Sequence, residues 1–259
     1  MDAVARFEAL ASISEAELDL AEAALTIAAG AHPSLDVARW LGTLERMASG
    51  IDTFEQLRLR MFAELGLTGN RDDYYDPRNS YLNEVIERRR GIPITLSILM
   101  MEIGRRASVA VEGIAMPAHF LVRDPVGGTY CDPFDAGATM DESGCERLYR
   151  QVTGSSEDAP FGSDMLPVAG KRDILARVLA NLKAIFSAHG EPGDLEWVLR
   201  MRLALPAVPR AEAVELGEAI ARQGRVREAA AEVETHAERH PEMESVFRAA
   251  ARALRARLN

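Results

Sequence analysis

The hydrophobic and polar positions change their period twice along this chain. From Ser14 to Leu65, apolar residues recur at three- and four-residue intervals, the stripe of helices buried on one face. Ser14 and Glu17 form a capping-box pattern ahead of an Ala/Leu-rich run ending at Gly30. Ser34 can cap a second helix with Val37, Leu41 and Leu44 on one face. Asp52 or Thr53 can start a third with Phe54, Leu57, Met61 and Leu65. Residues 66–80 break the pattern and read as a loop.

Asn79 or Ser80 is placed to cap the next helix, with Leu82, Val85 and Ile86 inward and Gly91 as its end. Pro93 fits the first turn of a new helix, where its missing N–H costs nothing. That helix carries Leu96, Leu99, Met100 and Ile103 and little charge, so it should be central and buried on most sides. After Ser108 the period shortens. Residues 109–111 with 114–116, then 120–122 and 129–131, read as strands, and 124–128 as the turn of a hairpin. Residues 154–170 are loop-like and mark the best boundary.

From Lys171 the helical period returns, with Ile174, Leu175, Val178, Leu179, Leu182, Ile185 and Phe186 on one broad face. Gly190 and Gly224 stand 34 residues apart, the period of a tetratricopeptide helical pair, and Pro206 and Pro241 follow at nearly the same offset. One or two such repeats do not make a solenoid, so this tail should pack on the rest. The expected fold is α+β and mostly helical: a helical segment 1–79, a core 80–155 with a small antiparallel sheet, and a helical tail 156–259.

A chain of 259 residues can bury a substantial core. Acidic residues outnumber basic ones 40 to 30, and a net charge of -10 opposes nonspecific binding to nucleic acid or anionic membrane. Cys131 and Cys145 are the only cysteines and do not make a disulfide framework. The start lacks a signal-peptide layout, and the most apolar stretch, 92–103, is interrupted by Thr95, Ser97 and Glu102. The expectation is a soluble cytoplasmic protein.

The strings N-E-V-I-E-R-R-R-G-I-P-I-T-L-S-I-L, P-A-H-F-L-V-R and D-P-F-D-A-G carry the chemistry. On them, and on N-L-K-A-I-F onward, the chain resembles the SirB-type family, with a transglutaminase-like core and a tetratricopeptide-like tail. The resemblance implies a helix packed on a small antiparallel sheet. In transglutaminase-like enzymes the thiolate sits at that helix's N-terminus, activated by the helix dipole and an imidazole. Laid over this chain, the resemblance puts Pro93 at the nucleophile position, His119 at the imidazole and Asp132 at the orienting carboxylate. The family itself tends to lack the thiol.

Other nucleophiles are poorly placed. Cys131 should face away from Asp132 because side chains alternate along a strand. Cys145 reads as a packing or partly exposed residue. The Thr95 and Ser97 hydroxyls should bond back to a carbonyl one turn earlier. Asn83, Glu84 and Thr95 are candidates to join a binding site with His119 and Asp132; as caps or surface residues they need no function. His236, His240 and Glu232 form a helical stripe that reads as solvated rather than metal-binding, and Gly127-Gly128 reads as a turn rather than a nucleotide loop. No cofactor or metal is expected.

The leading expectation is a non-catalytic regulator or adaptor that binds an unidentified protein partner. The alternative is a hydrolase or transferase in which His119 and Asp132 act on water. A pure tetratricopeptide peptide binder would need a longer concave tail.

Overall fold

The computed structural model describes residues 2–156 and 159–258. The expected loop at 154–170 therefore includes two residues, 157 and 158, outside the described ones.

The N-terminal segment forms α1 (Ala3–Ser12), α2 (Leu20–Ala31), α3 (Val37–Ala48) and α4 (Phe54–Arg58). Phe7, Leu25, Leu44 and Leu57 anchor them in turn, each fully buried. Asp2, Asp19, Asp36 and Thr53 cap them, each side chain accepting a first-turn N–H. Two starts differ from expectation. Ser14 and Glu17 do bond, Oγ to Oε2 at 2.6 Å, but they close a single turn, and α2 begins later under Asp19. Asp36 rather than Ser34 caps α3, because its carboxylate stands next to the helix and reaches the Arg39 N–H at 3.0 Å. Beyond Arg58 the expected regular helix widens into a π-helical turn, Leu59–Glu64.

β1 (Thr68–Gly69) then pairs in parallel with β2 (Arg90–Gly91), a link absent from the sequence reading. Between them lie a 3-10 turn, Pro77–Ser80, and α5 (Leu82–Arg88). Tyr81, not Asn79 or Ser80, occupies the N-cap of α5; Asn79 instead turns inward to the preceding loop. α6 (Pro93–Arg106) is central, packed by α2, α3, α4 and α5 and by the sheet.

That sheet is antiparallel and four-stranded, in the order β3 (Glu112–Ile114), β4 (Leu121–Arg123), β5 (Tyr130–Asp132) and β6 (Ala138–Met140). The strands expected at 109–116, 120–122 and 129–131 are thus shorter or shifted by one residue, and β6 is additional. Alternation sends Val122 and Cys131 into the main core. Ile114, Leu121 and Tyr130 face a second, smaller core with Leu166 and with Cys145 of α7 (Glu142–Thr153). Residues 167–169 bond along β3, Ala115 N–H to the Pro167 carbonyl at 3.0 Å and Ala169 N–H to the Gly113 carbonyl at 2.9 Å, so they cover its edge.

The C-terminal part is all helical: α8 (Lys171–His189), α9 (Pro192–Leu203), α10 (Glu212–Arg222), α11 (Val226–Arg239) and α12 (Glu244–Ala256), each packed on the next. Gly190 and Gly224 supply the left-handed backbone, φ +71° and +82°, that reverses the chain into α9 and α11. One apolar core runs from Phe7 to Leu254, so the tail packs on the rest of the molecule. The architecture is α+β, mostly helical, with a small antiparallel sheet and a helical C-terminal part. Among the described residues no helix is long and apolar enough to cross a membrane.

Candidate functional site

His119 does not lie within a strand. It follows a tight turn in which its N–H donates to the Met116 carbonyl at 3.1 Å, with Pro117 and Ala118 in the middle. Pro117 suits the first central position of such a turn, and the second needs positive φ, which Ala118 supplies at +61°. This strained corner turns the His119 ring toward Asp132, the last residue of β5. His119 Nε2 and Asp132 Oδ2 are 3.0 Å apart, and both residues are buried. The other carboxylate oxygen, Oδ1, accepts the Phe134 N–H at 2.9 Å. Asp132 is thus held at both oxygens and fixes the ring. Among the described residues nothing bonds to the second ring nitrogen, Nδ1.

A cleft of about 200 Å³ opens beside this ring, lined by Tyr74, Pro93, His119, Phe120, Arg177 and Asn181 among others. Pro93, the first residue of α6, therefore borders the same space as His119. Arg177 comes from α8 and donates from Nη2 to the His119 carbonyl at 3.2 Å, its guanidinium 5.3 Å above the Phe120 ring. Burial pulls the Arg177 guanidinium below its usual pKa, partly offset by Tyr74. Burial likewise raises the Tyr74 hydroxyl, so it stays a donor at neutral pH. Asn79 positions Tyr74. Fully buried, it donates to the Asp73 and Tyr74 carbonyls at 2.7 and 3.2 Å and accepts from Asn70 at 3.0 Å.

The model of the Transglutaminase-like superfamily matches residues 20–180, a span reaching from α2 to Arg177 and beyond. A UPF0162 protein of Xylella fastidiosa (strain Temecula1) is 38% identical over 193 residues, 69% of this chain and 68% of its own. One of Pseudomonas aeruginosa is 31% identical over 184 residues, 67% of each chain. This chain belongs to the transglutaminase-like UPF0162 family. F-box only protein 21 of Homo sapiens is 31% identical over 140 residues, half of this chain but 21% of that much longer protein. No solved structure matches the chain.

In this UPF0162 chain the remaining sequence candidates lie away from the cleft. The Thr95 hydroxyl, buried, donates to the Asn79 carbonyl at 2.7 Å and accepts the Ile92 N–H at 3.2 Å, so it fastens the start of α6. Ser97 does not bond back along its helix; its hydroxyl is buried without a partner. Asn83 is buried with its carbonyl oxygen unpartnered, and Glu84 stands 3.5 Å from His32; neither borders the cleft. Residues at helix starts were read as site residues because sequence places them near Pro93, but none of Asn83, Glu84 and Thr95 lines the cleft. Cys131 is fully buried, and burial, with Asp132 nearby, pushes its thiol up to about 12. Cys145 is also fully buried and is pushed up to about 12. The stripe on α11 is not solvated as expected: His236 is buried against Phe247, with Glu232 3.7 Å away and His240 stacked on it. Among the described residues no group of three or more His, Cys, Asp or Glu is placed to hold a metal ion.

Tyr74, Arg177 and Asn181 are the cleft residues that sequence reasoning missed.

Proposed function

We propose that this chain is a SirB-type, non-catalytic regulator or adaptor of the cytoplasm, a pseudoenzyme whose transglutaminase-like cleft receives a protein partner. One observation carries the reading. Pro93 stands at the first position of α6 on the cleft that His119 borders, while Cys131 is fully buried in the main core and does not border that cleft. A thiolate cannot form beside the imidazole, so the oriented pair is left to bind rather than to attack. In this reading, 80–155 carries the cleft, 1–79 supplies Tyr74, and 156–259 supplies Arg177 and braces the core as tetratricopeptide-like pairs. The occurrence of a related segment as 21% of F-box only protein 21 fits a module that serves a larger assembly.

The open, polar cleft favours a second reading as well: a hydrolase or transferase in which His119, oriented by Asp132, deprotonates water. Two measurements separate them. Affinity capture from the host lysate compares the intact chain with His119→Ala, and a panel of esters, amides and thioesters is tested for turnover. A partner retained by the intact chain and lost with His119→Ala, without turnover, supports the adaptor. Turnover abolished by His119→Ala establishes the enzyme instead.

A further inference from the structure

We infer that the cleft beside His119 is a carboxylate-binding site built around Arg177, an inference that rests on reading this cleft as the binding surface. Other guanidiniums meet carboxylates: deeply buried Arg106 and Arg202 with Glu102 at 2.5 Å and Glu212 at 2.6 Å, and Arg172, half-buried like Arg177, with Glu15 at 2.9 Å. Arg177 does not. Among the described residues no carboxylate lies within ion-pair distance of it, and of its five N–H donors one is used, on the His119 carbonyl. Asp132, the nearby acid of the site, already serves His119 and the Phe134 N–H.

The surroundings match a small anion with a polar head. Asn181 lies one turn along α8 from Arg177 and borders the same space, as does Tyr74. The Asn181 side chain bonds no protein group among the described residues. The first residues of α6, Pro93 and Ile94, also line the cleft, so the positive end of that helix dipole faces it. Phe120 beneath the guanidinium keeps its plane in place. A guanidinium held flat with free N–H groups matches the two oxygens of a carboxylate. With one cationic side chain lining the cleft, in a chain of net charge -10, a singly charged carboxylate fits better than doubly charged phosphate. The carboxylate could belong to a free organic acid or to the C-terminus of a chain.

The test is a nuclear magnetic resonance titration of the full-length chain with acetate and, separately, inorganic phosphate, following the His119 imidazole and arginine side-chain signals. Acetate is expected to shift both saturably. Arg177→Gln should weaken it about tenfold or more, the effect of losing a charge-assisted hydrogen bond. Asn181→Leu, which fills the cleft from a side chain that holds nothing in the fold, should weaken acetate equally at unchanged melting temperature. That variant decides the matter if Arg177→Gln unfolds the chain. Acetate binding indifferent to both variants, no acetate binding at all, or tighter binding of phosphate overturns the inference. Retention of a random peptide pool with free C-termini over its amidated twin assigns the site to chain ends; acetate binding without that retention assigns it to free acids. A partner captured by the intact chain and by Asn181→Leu alike, with no acetate binding, would leave the adaptor standing and remove this site. Ester turnover together with acetate binding weakened by Asn181→Leu would remove the adaptor and leave this site standing.

Discussion

Two arginines on neighbouring helices show how differently this molecule treats its charges. Arg202 of α9 is buried and saturated: it grips Glu212 with two bonds, 2.6 and 2.7 Å, and donates to the Ala176 carbonyl at 3.0 Å. Arg177 follows Ala176 on α8, yet it faces the cleft with one protein bond and no carboxylate. Inside the tail the buried guanidinium has its counter-charge, because an unmatched buried charge is costly. The cleft leaves donors over on Arg177, Tyr74 and Asn181, and the second ring nitrogen of His119 without a protein partner. Saturation marks structure; spare capacity beside a cavity marks binding.

The largest effect is expected on the saturated side. Arg202→Met strands Glu212 in the interior, with only Lys183 at 3.3 Å to offset it, and should cost about 3 kcal/mol in denaturant unfolding. Arg177→Gln loses one bond to a carbonyl and a ring contact, and should cost about 1 kcal/mol. Equal losses would erase the contrast. The pH dependence has a sign. Burial would raise the Glu212 carboxyl, but the Arg202 bonds and Lys183 outweigh it and hold it below its ordinary 4.5. A depressed carboxyl stabilises above the unfolded value. The intact chain should therefore lose this contribution as pH falls below about 4.5, and Arg202→Met should show a weaker acid dependence there.

The next largest effect comes from the packing under the turn that follows β5. Gly69 packs so closely that a Cβ there would stand 2.5 Å from the Phe134 carbonyl oxygen, a backbone atom that cannot swing away. Gly69→Ala should displace the turn that Asp132 caps and cost about 2 kcal/mol by thermal unfolding. It should also disturb the His119 signals. An unchanged melting temperature would mean that the turn after β5 is loose and the site not preorganised.

How far this contrast could be read in advance depended on the range of each interaction. Helices and strands were legible because burial imposes a local period: Leu57 and Met61, or Val122 beside Leu121, announce their faces. His119 and Asp132 were legible through the motifs around them. Strand ends were not, since β6 is three residues, Ala138–Met140, held by pairing with β5 rather than by its own composition. The helix starts failed by a residue or more where several polar residues competed, as at Ser34 and Asp36. Arg177 was hidden for another reason. Asp173 stands four residues before it, the spacing of an ordinary surface ion pair, yet that pair does not form. Only the fold shows that α8 aims Arg177 at a loop 58 residues earlier.

A smaller effect tests the pair itself. Asp132→Asn keeps an oxygen for the Phe134 N–H but loses the charge opposite His119, and should cost about 1 kcal/mol in denaturant unfolding. Stability should fall by a similar amount in His119→Ala, and the Asp132→Asn, His119→Ala double variant should fall by less than the sum, since the two share one bond. Strict additivity would show that the bond contributes nothing.

The smallest effect concerns Cys131, one residue from Asp132 in sequence yet on the saturated side of the molecule. Its side chain joins the main core, and burial holds the thiol at about 12. Replacing Cys131 and Cys145 by Ala removes one small buried group at each site and should cost about 1 kcal/mol apiece or less. Partner capture should be unchanged, because neither sulfur borders the cleft. The intact chain should resist thiol reagents at neutral pH until it unfolds. The linkage runs opposite to that of Glu212. A thiol that ionises near 9 when unfolded and near 12 when folded keeps its proton longer in the native state, so stability should fall as pH rises above about 9. The Cys131→Ala chain should lose part of that alkaline dependence. Rapid labelling of Cys131 in the folded chain at neutral pH, with loss of partner capture, would move the thiol to the cleft side and restore a nucleophile to this fold.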